Sequence, residues 1–155
     1  MLKLPSRELP LVKFRHALPP FLAGGAECFI EVDARAGGAI NPAYVAAVQK
    51  MVLDGRVMDR KTKRIEDDQK FVDATHATVR AMTKARFAAI YDFCVIEWRS
   101  NIIDGDAPIT CNRESFLELT EQSIPELTTA FRALEAEIIE TGKVVSEEDD
   151  DTIKN

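Results

Sequence analysis

The sequence predicts an α+β fold that is mainly α-helical, with a short N-terminal β-hairpin or strands, a bundle of about four or five helices and a disordered acidic C-terminal tail. Near the N-terminus, apolar and polar residues alternate over 26–35, and a short apolar segment at 11–14 lies between prolines. Beyond residue 41, apolar residues instead recur at spacings of three and four, as on one face of a helix. We therefore expect one domain over 1–145, strand-rich over 1–40 and helical over 41–145, followed by the tail over 146–155.

The N-terminal strands are predicted from alternation and from the residues that interrupt it. Cys28, Ile30 and Val32 lie on one face of 26–35, and Glu31 and Asp33 lie on the other. Four prolines in the first 25 residues rule out a long helix there, which leaves 11–14 as a short extended segment. An antiparallel pair of these two strands needs helices to cover it, because an isolated hairpin is marginally stable.

The first helix is predicted over about 41–54. Asn41 is a favourable N-cap and Pro42 suits the first helical position. Gly55 is expected to end this helix. The next stretch, 56–64, has five basic residues, but an acidic run follows at 66–68, so we interpret it as an exposed loop that is largely neutralised.

A long helical pattern covers about 67–98 and ends on the only tryptophan, Trp98. Its second half has the clearer apolar stripe. Because no Gly or Pro interrupts the pattern, the sequence leaves open whether it forms one helix or two that meet near Thr83. Trp98 is expected to bury its ring where this helix meets the last two.

A turn and two further helices are predicted after Trp98. Asp104, Gly105 and Pro108 mark a turn, which we interpret as a hinge, and Asn112 is expected to cap a short helix. The Ser-x-x-Glu pattern at Ser123 predicts a capping box for the last helix. The apolar positions expected to face the core of these helices include Phe116, Leu117, Leu119, Leu127, Phe131, Leu134 and Ile138, and Gly142 is expected to close the last one.

Composition and charge limit the class of protein. Three cysteines at wide spacings form neither a disulfide framework nor a metal motif, so we expect a reducing, cytoplasmic setting. No apolar run is long enough for a membrane span, and the N-terminus lacks the apolar core of a secretory signal. Five consecutive acidic residues, 147–151, supply most of the net charge of −6, which leaves a nearly neutral body with little attraction for nucleic acid.

No residue pattern predicts catalysis, a cofactor or a metal. His16 and His76 are far apart in the sequence and lack ligands at suitable spacing. Asp104-x-Asp106 resembles a calcium loop, but Pro108 and Ser115 occupy positions where ligands are required. Nucleotide, hydrolase and zinc-protease motifs are absent from the sequence. We therefore expect a protein that is not an enzyme.

The helix-turn-helix order at 113–134 could be read as a DNA-binding pair. Its glutamates outnumber its arginines, so phosphates would repel the element that has to approach them. A small DNA-binding regulator is therefore disfavoured and is kept only as a second alternative.

The run IEWRSNIIDGDAPITCNRESFLELTEQSIPELTTAF resembles the C-terminal half of tail assembly chaperones of long-tailed bacteriophages. In that family a helix commonly ends in an apolar-x-Trp pattern, followed by a turn rich in Asp and Gly, a short apolar segment after Pro, a capped helix and a helix started by Pro. The positions that carry the resemblance are Trp98, Asp104, Gly105, Pro108, Ile109, Asn112, Glu114, Leu117, Leu119 and Pro125. Ala107 and Cys111 depart from the family pattern.

The resemblance implies a non-enzymatic protein that binds the tape-measure protein, keeps it soluble until tail-tube protein polymerises around it, and leaves before the tail is finished. We also expect that the chain can self-associate. Residues that we expect in partner contacts or in the hinge are Trp98, Asp104, Gly105, Pro108, Phe116, Leu119 and Phe131. The alternatives are a structural head-tail or tail-completion protein of the virion and the DNA-binding regulator.

Overall fold

The structure is a computed structural model that describes residue 2 and residues 8–154, with the side chains described as far as residue 143. Its strands are β1 (Leu11–Leu18), β2 (Cys28–Arg35), β3 (Val95–Ser100), β4 (Ile103–Asp104) and β5 (Ala107–Pro108). Its α-helices are α1 (Pro42–Lys63), α2 (Asp68–Phe93), α3 (Arg113–Thr120) and α4 (Pro125–Lys154), and a 3₁₀ helix spans Pro20–Ala23. The mainly helical α+β fold is confirmed.

An antiparallel sheet in the order β1-β2-β3 forms the base of the domain. The predicted pair of strands is confirmed, with Phe14 opposite Val32 and Leu18 opposite Cys28. Alternation of apolar residues buries one face, while the opposite face has an ion-pair ladder in which Arg15, Glu31 and Arg99 lie side by side on the three strands. The helices therefore cover one face of the sheet and leave the other to solvent.

Trp98 lies in a strand, so the prediction that a helix ends on it is wrong. The helix α2 ends at Phe93, after running through Thr83 without a break, and β3 follows at once. The segment Val95–Ser100 joins the open edge of β2, where Ser100 Oγ donates to the carbonyl of Phe29 at 2.7 Å. Val95 and Trp98 fit the spacing of a helix, but strand pairing with β2 overrides that local pattern.

The first helix continues through Gly55, so the predicted helix end at Gly55 and the predicted loop at 56–64 are both wrong. Asn41 caps the helix as predicted, since its side chain accepts from the Tyr44 N–H at 3.2 Å. An added Cβ at Gly55 would lie 2.6 Å from Met82 Cε, so this glycine permits close packing of α1 on α2. Ion pairs such as Lys63 to Asp59 at 3.0 Å also support the extended helix.

The last helix begins at Pro125, one residue beyond the start that the Ser123 capping box predicted, and it does not end at Gly142. Gly142 instead meets the backbone of Gly37: an added Cβ would overlap the Gly37 carbonyl oxygen. This close approach explains a glycine inside a helix. The backbone of α4 is helical to Lys154, but the side chains of the tail lie outside the described residues, so its predicted disorder stays a prediction.

The core lies between the sheet and the helices and is centred on aromatic rings. The Phe116 ring contacts three others, with centroid distances of 5.0 Å to Tyr91, 5.6 Å to Trp98 and 5.1 Å to Phe131. Phe87 packs edge-on against Phe131 at 5.7 Å. These contacts join the C-terminal end of α2, strand β3 and the last two helices into one hydrophobic cluster.

Candidate protein-binding surface

Four of the residues that the sequence proposed as partner contacts or hinge belong to the core. Trp98, Phe116, Leu119 and Phe131 are each at most 7% exposed. Trp98 is buried as predicted, and its Nε1 donates to the Asn112 carbonyl at 3.1 Å. These side chains therefore hold α2, β3, α3 and α4 together and are covered in the folded protein.

The other three predicted residues, Asp104, Gly105 and Pro108, lie on an exposed β-hairpin formed by β4 and β5. Gly105 has a φ of 64° while no non-glycine residue of the described chain has a positive φ, so the two-residue turn at Gly105 and Asp106 matches type II′. A hydrogen bond of 2.9 Å from the Ile109 N–H to the Ile102 carbonyl joins the two strands at the end of the hairpin that is attached to the domain. The predicted turn is thus present, as a hairpin held by strand pairing.

A pair of antiparallel helices is the main surface feature that the sequence did not predict. The hydrophobic core includes α1 only as far as Val48 and α2 only from Phe87 onward. Residues 49–86 therefore form an arm of two helices outside the core, joined at its tip by a short turn. We call residues 49–86 the arm.

The arm is held together by a narrow seam. On α1 the seam residues recur at spacings of three and four, as Met51, Gly55, Met58 and Thr62, and each is at least half-buried. Met82 of α2 packs onto Gly55. Because small and flexible side chains fill this seam, much of the apolar surface of the arm stays outside it.

Six large hydrophobic side chains of the arm are exposed, half of those in the described chain. They are Val52, Leu53, Val57, Phe71, Val72 and Val79, with exposed fractions from 42% to 59%. Isolated exposed apolar residues are ordinary on a protein surface, but a concentration on one projecting element marks an interaction surface.

A cleft lies where α2 leaves the core and meets the connection between α3 and α4. Its volume is about 560 Å³, and Phe87 and Phe131 form an apolar floor. Val79, at the edge of this cleft, is 59% exposed. We call this the arm cleft; it is a concave site with an apolar floor and a polar rim, and it continues onto the exposed flank of α2.

Ion pairs fix the rim of the arm cleft. Arg86 Nε lies 2.9 Å from Glu135 Oε2, although its N–H is not directed along a hydrogen bond, and its guanidinium lies over the Phe87 ring. Lys84 pairs with Glu121 at 3.6 Å. Arg80 and Arg132 line the same cleft without an ion-pair partner among the described residues. The rim therefore offers free cations around an apolar floor, which suits an amphipathic segment with acidic flanks.

A second cleft, of about 440 Å³, lies beside the β4-β5 hairpin. Its floor is apolar and includes Ile102, Leu119 and Leu127, which are at most 7% exposed. Its rim has the carboxylates of Asp104, Glu114 and Glu118, none of which forms an ion pair within the described part of the chain. We call this the acidic cleft, since its charge is opposite to that of the free cations on the arm cleft.

The sequence contains a signal for the arm. Val52 and Val79 both fit an apolar stripe along their helices, yet both are exposed. Each helix of the arm, however, buries only one narrow stripe of side chains in the seam, and apolar residues on both sides of that stripe are left uncovered. The signal in the sequence is therefore that each helix has more apolar residues than packing against one other helix can bury.

Among the described residues, no group of three or more His, Cys, Asp or Glu side chains is placed to hold a metal ion. No helix over the same residues combines the length and the apolar character that crossing a membrane requires. No protein-family model, no curated protein and no solved structure matches the chain.

Proposed function

We propose that this protein is a tail assembly chaperone of a long-tailed bacteriophage, which binds amphipathic helical segments of the tape-measure protein and keeps that protein soluble in the host cytoplasm until the tail tube forms. Two features support the proposal. The resemblance of the segment around 96–131 indicates the family, and the arm with its cleft provides a surface suited to binding a helix.

The observation that carries the binding role is the exposed apolar surface of the arm. Val72 and Val79 are seven residues apart, so they lie on one side of α2, and this stripe leads to the arm cleft. A helix of the partner laid along α2 would place apolar anchors at i, i+3, i+4 and i+7 against this stripe. A tape-measure protein, which is long and helical, offers many such segments.

One part of the resemblance is not reproduced. The family pattern implied a helix that ends on Trp98, whereas Trp98 lies in β3. The turn at Gly105, the cap at Asn112 and the start at Pro125 all occur in the order that the resemblance implied. The proposal therefore rests on the second half of the resembling segment together with the arm.

Co-expression with the tape-measure protein of the same phage tests the proposal. The chain should raise the soluble yield of that protein and co-purify with it, because covering apolar helical faces prevents their aggregation. Val79→Glu should lower both readouts, since a carboxylate at the edge of the arm cleft must be desolvated on binding. Unchanged yield and no co-purification with the wild-type chain would refute the proposal.

Val52→Glu is the matched control. Val52 is also an exposed valine of the arm, at 43%, but it lies on α1 and outside the arm cleft. It should leave the soluble yield of the tape-measure protein unchanged. An equal loss of soluble yield for both variants would show that exposed apolar residues of the arm bind without specificity, and it would refute the arm cleft as the binding site.

Mass spectrometry of finished tails distinguishes a chaperone, which is absent from them, from a structural tail protein.

A further inference from the structure

The outer face of α1 has a stripe of side chains that no other part of the described chain covers. Leu53, Val57, Arg60 and Arg64 recur at spacings of four, three and four, so they lie on one side of the helix. The seam residues Met51, Gly55, Met58 and Thr62 lie on the opposite side, against α2. The stripe has apolar anchors in the middle of the helix and cations toward the tip of the arm, and we call it the basic stripe.

The basic stripe matches the acidic cleft in chemistry. Leu53 and Val57 are 59% and 48% exposed and need an apolar surface to cover them. The acidic cleft presents apolar surface at Ile103, which is exposed at its edge, and at Leu22, Ile109 and Ile124, which are half-buried within it. Removal of these apolar surfaces from water would favour association.

The charges of the two surfaces are opposite and unsatisfied. Arg60 and Arg64 form no ion pair among the described residues, in contrast to Lys63, which pairs with Asp59. Asp104, Glu114 and Glu118 on the rim of the acidic cleft are likewise unpaired within that part of the chain. Opposite charges around an apolar contact fix its orientation and speed its formation.

We propose that the basic stripe of one copy docks in the acidic cleft of a second copy, so that the protein self-associates through its arm. The two surfaces belong to different parts of the molecule, so the contact is heterologous and each copy has one surface of each kind. The lining residues of the acidic cleft and of the arm cleft have only Gln122 in common, so this self-association does not require the proposed binding of the tape-measure protein.

Sedimentation velocity of the purified full chain tests the proposal. The wild-type protein should sediment above the monomer, and the larger species should decline as salt rises from about 0.05 M to about 0.5 M, because screening weakens contacts between exposed charges. Two sets of charge reversals then locate the contact. Arg60→Glu with Arg64→Glu alters the stripe, and Asp104→Lys with Glu118→Lys alters the cleft. Each set should weaken self-association by about tenfold or more through repulsion between like charges.

Mixing the two altered proteins is the decisive measurement. The altered stripe is acidic and fits the altered, basic cleft, while the unaltered stripe of the second protein fits the unaltered cleft of the first. The mixture should therefore regain the larger species that neither protein forms alone. Glu137→Lys with Glu140→Lys is the control, because it makes the same change in charge at exposed positions of α4 outside the acidic cleft; it should leave wild-type self-association in place.

Three results would overturn the proposal. The wild-type chain could be monomeric at its highest soluble concentration; the larger species could persist in both reversed proteins; or the mixture could fail to restore it while each reversed protein keeps the wild-type circular dichroism spectrum. If the wild-type chain is monomeric and the cleft reversals abolish co-purification with the tape-measure protein, the acidic cleft binds that partner and the assignment to a second copy is wrong.

If the chain does not self-associate but binds the tape-measure protein normally, the proposed docking between copies is wrong and the proposed function stands.

Discussion

The indole N–H of Trp98 donates to the main-chain carbonyl of Asn112 at 3.1 Å. The same carbonyl accepts the first intrahelical hydrogen bond of α3, from the Phe116 N–H, also at 3.1 Å. Asn112 in turn caps α3 by a reciprocal pair of bonds with Ser115. One carbonyl thus links strand β3 to the start of α3, and the aromatic contact between Trp98 and Phe116 lies directly beside it.

Trp98→Ala should lower the free energy of unfolding by about 3–5 kcal/mol, because it removes a ring that is 3% exposed and leaves a cavity beside Phe116. Urea denaturation measures the change. Trp98→Phe is the control: it keeps most of the ring contact but leaves the Asn112 carbonyl with one bond fewer, so its cost should be smaller. Wild-type stability for Trp98→Ala would contradict the burial of this ring.

Asn41 is the buried polar residue on which the start of α1 depends. It is 3% exposed, its Oδ1 accepts from the Tyr44 N–H, and its Nδ2 donates to the Ala36 carbonyl at 3.2 Å and to the Phe93 carbonyl at 3.1 Å. Asn41→Ala should cost about 2–4 kcal/mol in unfolding free energy, because it combines the loss of a cap with the loss of the donor to one buried and one part-buried carbonyl.

Two variants separate the parts of this effect in thermal or chemical denaturation. Asp67→Ala removes an exposed cap, whose carboxylate accepts from the Lys70 N–H at 2.8 Å, and should cost about 1 kcal/mol. Asn41→Asp keeps the capping oxygen but replaces the donor, and it should be nearly as damaging as Asn41→Ala because it faces two carbonyls. If all three variants lowered the unfolding free energy by the same small amount, the hydrogen bonds that Asn41 Nδ2 donates would contribute nothing to stability.

The sequence was sufficient for β1, β2, α3 and the caps at Asn41 and Asn112, because local patterns encode those features. Alternation over 28–35 and the preference of Asn for N-caps need no knowledge of distant residues. Strand β3 was missed for the opposite reason. Its two inward apolar residues, Val95 and Trp98, are three apart and fit a helical stripe, and only the open edge of β2 makes Val95–Ser100 a strand.

The candidate site was predicted poorly, because apolar side chains in the core and at a binding surface have the same sequence pattern. Trp98 and Phe131 were proposed as partner contacts and are buried, whereas Leu53 and Val79 were not proposed and are exposed. The exposure of an apolar side chain depends on how many elements pack around its helix. Each helix of the arm packs against only one other helix, and the pattern of apolar residues along α1 does not show how many neighbours α1 has.

Gly142 and Gly55 should respond differently to alanine, although both lie inside helices. At Gly142 the new Cβ would overlap a backbone oxygen, that of Gly37, which cannot move without shifting the loop that leads into α1. At Gly55 the nearest atom is the terminal methyl of Met82, at 2.6 Å, and a flexible side chain can move away.

Gly142→Ala should therefore lower the melting temperature clearly, by the several degrees that about 1–3 kcal/mol of overpacking produces in a domain of this size. Gly55→Ala should be nearly neutral, since the helical preference of alanine over glycine, about 0.5–1 kcal/mol, offsets the cost of moving Met82. Differential scanning calorimetry of both variants checks the contrast. A neutral Gly142→Ala would contradict the close approach of α4 to Gly37.

The three cysteines should differ in reactivity toward a thiol reagent such as 5,5′-dithiobis(2-nitrobenzoic acid). Cys111 is exposed, whereas Cys28 and Cys94 are buried. Burial raises the pKa of Cys94 to about 12, and it also raises the pKa of Cys28, because an apolar environment disfavours the thiolate. The thiolate is the reacting species, so the native protein at mildly alkaline pH should react rapidly at one thiol, and the denatured protein at all three.

Cys111→Ser is the control for this assignment, since it should abolish the rapid phase and leave the two slow thiols unchanged. The slow phase should follow unfolding: a destabilising variant such as Asn41→Ala should accelerate it while leaving the rapid phase of Cys111 at the wild-type rate. The sign of the pH dependence follows from the raised pKa of Cys94. Its buried thiol stabilises the fold below the ordinary thiol pKa, and that contribution declines as pH rises toward 12. Rapid reaction of two or three thiols in the native protein would contradict the burial of Cys28 in β2 and of Cys94 at the C-terminal end of α2.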